Sequence, residues 1–265
     1  MTLLVLGATG STGRRVTRLL REREIAVRPV SRHSDPRFDW ADPKTWAPAL
    51  DGVTGIYVMA PDGVPVEPAF IEQAVASGVR RLVLLSTMHA EEIDDRLYAA
   101  ERLVRDAGAE WTVVRANWFN QNFDEGFFLP AIQAGELVVP LGDQRHSFVD
   151  AEDIATVAVE ALTGSGHHGQ TYEVTGPTMH SFAEAVALIA EAADRPIHYK
   201  GASADYRQAS TAPPDQVEAE IAFFTHQQSF GDSHPTPTVE HLTGRPPIPF
   251  PTYAHSVNWP ALLSP

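Results

Sequence analysis

Short apolar runs alternate with stretches of helical spacing from the start of this chain. Leu3, Leu4, Val5 and Leu6 are a continuous apolar run, the pattern of a buried strand, and Val16, Leu19, Leu20 and Arg23 follow at helical spacing. Residues 25–30 read as a second strand, 55–59 as a fourth, 82–85 as a fifth and 110–115 as a sixth. Helices are predicted over 43–50, over 65–77 with Phe70, Ile71, Ala74 and Val75 inward, and over 94–107; Gly78 and Gly108 stop the last two. Strands and helices alternating through short connections predict a parallel sheet covered on both faces. Further on, residues 148–150 read as a short strand end and Asp150 as the cap of a helix running to 162. Residues 170–174 form another strand. Ser181 to Glu184 is a capping box opening a helix to 193. Residues 196–200 read as a strand of a smaller lobe, and 214–228 as a helix carrying Val217, Ile221 and Phe224. The expected architecture is α/β: a doubly wound Rossmann sheet over residues 1–150, also receiving 151–176, then a small α+β lobe over 177–265.

The first strand ends in Gly7, Gly10 and Gly13, spaced GxxGxxG, immediately before the first helix. That context is what a dinucleotide-binding turn requires. Gly7 allows a tight turn, Gly10 lets backbone approach a pyrophosphate, and Gly13 lets the helix pack closely. The helix N-terminus offers free N–H groups and a partial positive charge to phosphates.

The charge distribution adds to this. The formal net charge is −14, which argues against a nucleic-acid surface. Yet Arg14, Arg15, Arg18, Arg21, Arg23, Arg28 and Arg32 crowd the first strand–helix–strand unit, a local patch suited to a small anionic ligand. The second strand ends in Ser31-Arg32, where sites for NAD usually place a carboxylate on the ribose 2′-hydroxyl. An arginine there suits a 2′-phosphate, so NADP(H) is expected over NAD(H). Asp39 is a candidate for the adenine and Trp40 for its cover; the alternatives are a turn aspartate and a core tryptophan. The strand end at Ala60-Pro61 should line the crevice beyond the sheet's carboxyl edge.

Hydrophobic residues make up 43% and charged residues 20%, ordinary values for a globular chain. There are no cysteines, which excludes disulfides and thiolate chemistry. No apolar run approaches the roughly 20 residues of a membrane span, and no leader precedes the first strand, so a cytoplasmic protein is expected. His226, His234, His241 and His255 lack metal-ligand spacing, so no metal is expected. His167 and His168 sit in a Gly/Ser loop and read as solvated. Residues 116–126 interleave Trp118, Phe119 and Phe123 with Asn117, Asn120, Gln121 and Asn122. Aromatic walls with polar anchors describe a substrate pocket, and the candidates are Trp118, Phe119, Asn122 and Phe123; the alternative is a core connection. Asp150 and Asp153 resemble an acid–base pair, but helix capping explains them better.

Three segments together, 7–13, Ser31-Arg32 and 111–122, resemble the NmrA-like atypical short-chain dehydrogenase/reductases. Residues 135–137, 148–155 and 172–177 add to the match. The likeness reaches to about Trp259, and points toward the branch holding quinone reductase-like and festuclavine dehydrogenase-like proteins. It implies NADP(H) bound in a crevice between a Rossmann domain and a small lobe. Gly7, Thr9, Gly10, Ser11, Thr12 and Gly13 would hold the pyrophosphate, Arg32 the 2′-phosphate, Ala60 and Pro61 the adenosine ribose. Ser86 and Thr87 would lie near the nicotinamide ribose.

One departure narrows the chemistry. Family enzymes that reduce carbonyls carry a Tyr-x-x-x-Lys pair on the helix after the fifth strand, the tyrosine acting as proton donor. Here Tyr98 is followed by Arg102. If Glu101 instead matches the glutamate following the pair, the pair falls on Ile93 and Leu97. Tyr98 and Thr87 remain weak catalytic candidates. Without a proton donor, reduction of an iminium, a quinone or an activated alkene is favoured over a plain ketone. An iminium yields a neutral amine, and a quinone yields an oxyanion of pKa about 10 that water protonates. The expected function is NADPH-dependent reduction of a small apolar or aromatic molecule by a monomer or homodimer. The alternatives are a non-catalytic NADP(H) sensor of NmrA type and an epimerase that keeps its cofactor; for the epimerase no base is evident. No nucleic-acid or membrane partner is expected.

Overall fold

The computed structural model describes residues 1–264. In chain order it runs β1 (Thr2–Val5), α1 (Ser11–Glu22), β2 (Val27–Pro29), α2 (Trp46–Leu50), β3 (Val53–Val58), α3 (Pro68–Ala76), β4 (Arg81–Thr87), α4 (Ala90–Ile93), α5 (Asp95–Asp106) and β5 (Glu110–Ala116). After these come α6 (Leu129–Ala134), β6 (Glu136–Val138), β7 (Arg145–His146), α7 (Ala151–Thr163), β8 (Gln170–Val174), β9 (His180–Ser181), α8 (Phe182–Ala192) and β10 (His198–Lys200). The chain finishes with α9 (Ser203–Ala209), α10 (Pro214–Gln228), α11 (Thr238–Thr243), α12 (Phe250–Ser256) and α13 (Trp259–Leu263).

The chain divides into two compact units. The first holds residues 1–116, 151–174 and 238–245; the second holds 117–150, 175–237 and 246–265. A boundary at residue 150 therefore misplaces 117–150, whose apolar residues pack in the second unit, and misses the return of α11 to the first.

The first unit is a six-stranded parallel sheet in the order β2-β1-β3-β4-β5-β8. It is a Rossmann sheet. The order reverses between β1 and β3, and the crevice beyond the carboxyl ends of those strands is where open α/β sheets bind ligands. The central strands β1, β3 and β4 read as apolar runs because both faces are covered: Leu4, Ile56, Val58, Leu82 and Leu84 are all buried against the α2, α3 and α5 side. Among the described residues no strand forms between β2 and β3, so the strands expected as fourth, fifth and sixth are third, fourth and fifth. The intervening segment builds an aromatic cluster instead. Phe38, Trp40 and Trp46 ring Phe70 at centroid distances of 5.1, 5.1 and 5.5 Å. On α3, Phe70, Ile71 and Ala74 face inward as expected, while Val75 is only half-buried. On α7, Asp153 is fully buried and is met by Arg245 at 2.6 Å, an ion pair between segments ninety residues apart that no local pattern announces.

The second unit is built around phenylalanines. Phe123, Phe128, Phe148, Phe182 and Phe250 are buried together with Ile132, Leu137, Ile189 and Trp259. Two short pairings flank this core: β6 lies parallel to β10 and β7 antiparallel to β9. Residues 148–150 form no strand; Val149 makes an isolated bridge to Phe119. The capping box at Ser181 forms as expected, with Ser181 Oγ accepting the Glu184 N–H and Glu184 accepting the Ser181 N–H. Among the described residues no helix is long and apolar enough to cross a membrane.

Candidate active site

The turn after β1 is closed by its glycines. Gly7 has φ +62°, and the Gly10 N–H donates to the Gly7 carbonyl at 2.9 Å. A Cβ on Gly13 would lie 2.2 Å from that same carbonyl oxygen, so the close approach that Gly13 permits is to the turn itself. A Cβ on Gly7 would lie 2.8 Å from the Met59 thioether, which fills the floor of the turn. Gly10 is the N-cap of α1; no side chain caps the helix, and its first turn carries no acidic residue. The N–H groups of that turn are thus presented to an anion, as a pyrophosphate requires. Thr9 and Ser11 flank this turn, whereas Thr12 is buried and its Oγ1 accepts from the Tyr57 hydroxyl at 2.9 Å. Because the Thr12 side chain is buried, its N–H is the group that it offers to a phosphate. Burial raises the Tyr57 phenol well above its ordinary range, so it remains a donor.

Beside the turn lies a cavity of about 430 Å³. Its walls are Ala8 and Thr9, then Arg14, Thr17, Arg18 and Arg21 on one face of α1, then Pro29, Val30, Ser31 and Ser34. Ser34 shapes the loop after β2: its Oγ accepts the Ser31 N–H at 2.7 Å and bonds the Pro36 carbonyl at 2.7 Å. Arg18 is paired with Glu22 and Glu152. Arg32 is exposed and stands outside the cavity walls, so the arginines of α1 face this space more directly than the residue that the strand end points to. Asp39 has both carboxylate oxygens engaged, by the Ala41 N–H at 3.0 Å and by Arg37 at 2.7 Å. These hydrogen bonds, with smaller contributions from the Arg37 and Arg32 charges, hold its carboxyl below the usual range. Trp40 does not cover a ligand: its ring is buried in the aromatic cluster, and its indole N–H donates to the Met59 carbonyl at 3.3 Å. At the end of β3, Ala60 is half-buried and Pro61 exposed.

At the end of β4, Ser86 is buried and its hydroxyl donates to Glu101 at 2.6 Å. Glu101 is fully buried, and Arg115 and Arg105 each reach it at 2.8 Å. The guanidinium of Arg115, bonded also to Glu91, is held above its ordinary range chiefly by Glu101. Ser86 therefore has its proton committed and can offer a ligand only an oxygen lone pair; Thr87 beside it is half-exposed. The glutamate after the missing pair thus has a partner network that the sequence alone did not show. Asp94 interrupts the helix between α4 and α5, taking the Leu97 N–H as a cap at 2.9 Å, so Ile93 and Leu97 do not share one helix. Tyr98 is half-exposed on α5, which carries no lysine.

In the second unit Trp118 and Phe119 are half-buried, as is Asn122. Phe123 has no exposed surface and packs on Phe128, Phe148 and Phe250; it supports the wall and cannot touch a ligand from that position. Asn120 and Gln121 turn inward onto Asp150, so that carboxylate anchors the segment. Two residues of this region had no sequence signal as site candidates: Phe127, 61% exposed, and His146, 5% exposed. His167 and His168 are not simply solvated, since they bond the Tyr172 hydroxyl and the Trp111 N–H. Among the described residues no cluster could hold a metal ion.

Comparison with known proteins agrees with the turn's geometry. The model of the NAD(P)H-binding family matches residues 7–165. An NAD(P)H azoreductase of Xenophilus azovorans is 32% identical, with 95% of this chain and 96% of that one covered. A (4-alkanoyl-5-oxo-2,5-dihydrofuran-3-yl)methyl phosphate reductase of Streptomyces griseus is 34% identical, with 94% and 95% covered. Among solved structures, the NADPH complex of the quinone oxidoreductase QOR2 from Escherichia coli shares the fold with a TM-score of 0.79 at 20% identity, covering 96% and 99%. The chain belongs to the NAD(P)H-binding family. It is an NAD(P)H-dependent oxidoreductase.

Proposed function

We propose that this protein reduces a small, flat, apolar molecule, a quinone, an iminium or an activated alkene, and prefers NADPH as reductant. The observation that carries this reading is an uncapped, glycine-closed helix N-terminus in a chain whose α5 supplies no Tyr–Lys proton donor. When bound, the cofactor supplies the hydride. The N–H groups of Ser11, Thr12 and Gly13 grip its pyrophosphate, and Gly7 and Gly10 keep the approach open. Arg14, with Arg32 at the rim, meets the 2′-phosphate. Ala60 and Pro61 border the adenosine ribose, and Asp39 the adenine. Ser86 accepts a hydrogen bond from the nicotinamide ribose, held in that role by Glu101, with Thr87 alongside. Trp118, Phe119 and Asn122 position the substrate, and orientation is the main source of rate. Water protonates the oxyanion that a quinone yields, an iminium needs no proton, and a plain ketone is disfavoured because its alkoxide is too basic to form without a donor.

The test is titration with NADPH and NADH, then turnover of a panel holding a quinone, a cyclic imine and an unactivated ketone. NADPH should bind tighter than NADH. Replacing Arg14 with Ala should cost NADPH about tenfold and NADH little, the share of one charge-assisted hydrogen bond. The quinone or the imine should turn over and the ketone should not. Rapid ketone reduction would overturn the mechanism, and equal affinity for both cofactors would overturn the preference.

A further inference from the structure

The cavity beside the glycine turn contains a charge of the wrong sign. Its α1 wall carries Arg14, Arg18 and Arg21, and with them one carboxylate, Glu22. In a space suited to an anion, a carboxylate repels what the arginines attract. Glu22 also occupies one of those arginines. Its two oxygens accept from the Arg18 Nη1 at 2.7 and 2.8 Å, while the Arg18 Nη2 donates to Glu152 on α7. The two carboxylates hold Arg18 unequally. Glu152 is 27% exposed, bridges two helices and lies 3.9 Å from Arg15 as well. The pair with Glu22 joins side chains 47% and 56% exposed, four residues apart on one helix, and a pair so open to water is weak.

Arg18 is thus a cation with one firm partner and one exchangeable partner. A phosphate dianion carries more charge than a carboxylate and presents the same paired oxygens to a guanidinium, so it can take the Nη1 side from Glu22. Direction matters too. Long side chains on a helix lean toward its N-terminus, here the anion-binding end. Glu22 sits one turn further along, about 6 Å, and draws Arg18 the other way. We propose that Arg18 is a second reader of the cofactor's 2′-phosphate, and that Glu22, by competing for its guanidinium, sets how strongly the chain prefers NADPH to NADH. This rests on the cofactor preference argued above and assigns its strength to a residue. NADH has a hydroxyl in place of the phosphate and cannot displace a carboxylate from Arg18, so Glu22 is silent toward it.

The experiment reads binding and needs no substrate. Calorimetry measures the affinities for NADP⁺ and NAD⁺, and for adenosine 2′,5′-bisphosphate and AMP, which differ by the same phosphate without the nicotinamide. E22Q should bind both 2′-phosphorylated ligands about threefold tighter, the share of one exposed ion pair, and NAD⁺ and AMP unchanged. R18Q should bind the 2′-phosphorylated pair about fivefold more weakly, and adding E22Q to it should recover little. Glu24 is exposed just past α1 and stands outside the cavity walls, so E24Q removes the same charge without freeing Arg18. It should change nothing, and thermal melting checks that each variant is folded. Unchanged NADP⁺ affinity in E22Q, an equal gain in E24Q, or the full gain persisting in R18Q/E22Q overturns the proposal. A native preference for NADP⁺ with an inert E22Q would sink this inference and leave the cofactor reading standing. Equal native affinities with a preference appearing in E22Q would do the reverse.

Discussion

Gly7 and Gly13 serve the same turn for different reasons, and substitution separates them. A methyl on Gly13 meets backbone at 2.2 Å, which no rotamer change relieves. G13A should cost about 3 kcal/mol, the upper range for an overpacked site, and abolish cofactor binding. A methyl on Gly7 meets only the flexible Met59 side chain, but its φ of +62° adds a backbone cost of about 1–2 kcal/mol. G7A should therefore be partly rescued by M59A, with the steric share recovered and the backbone share retained; urea unfolding of the four proteins in the cycle reads this directly. The glycines were legible because their spacing is itself the geometry. Trp40 was not: a tryptophan after a strand fits an adenine cover and a core equally well, and only the rings of Phe38 and Phe70 decide it. Glu101 was legible as a family position but not as a buried hub, because its partners Ser86 and Arg115 lie 15 and 14 residues away on neighbouring strands.

At the level of elements, what could be read depended on how each element meets its partner. The central strands of the first unit are buried on both faces, so β3, β4 and β5 announce themselves as largely apolar runs whatever they pair with. The strands of the second unit are two or three residues long and pair with distant segments, β6 with β10 and β7 with β9. Runs so short have little period to detect, and of the four only β10 was read, as a strand over 196–200. That is why 117–150 looked like an appendage of the sheet, although its phenylalanines belong to another core. The longer helices of that unit are the exceptions: α10 forms over the 214–228 expected, and α8 carries a capping box, which is a local signal. S181A should cost about 1 kcal/mol through the lost N-cap. E184A should cost less. It removes the reciprocal bond to the Ser181 N–H, while its ion pair with Arg145 is 44% and 48% exposed and adds little. Equal losses in the two variants, measured by thermal unfolding, would mean that the Arg145 pair contributes more than its exposure allows.

For the molecule as a whole, the acid limb of stability has a definite origin. Burial lowers the imidazoles of His146, His167 and His180, each surrounded by groups that do not compensate for the desolvation. His146 is pushed down to about 4, with Asp232 opposing only slightly. The folded chain thus holds this histidine neutral where the unfolded chain, near its ordinary value of about 6.5, accepts a proton. The unfolded state binds more protons in that window, so stability rises with pH there. The contribution is complete above about pH 6.5 and is lost as pH falls toward 4, amounting to about 3 kcal/mol in all. H146F carries no such proton, so its stability should fall more gently than that of the native protein between pH 6.5 and 4. It should match or exceed the native protein above pH 7, since a sealed nitrogen is gone. Parallel acid limbs for the two proteins would mean that His146 is already reached by water in the folded state, and that the desolvation argued for its ring is absent.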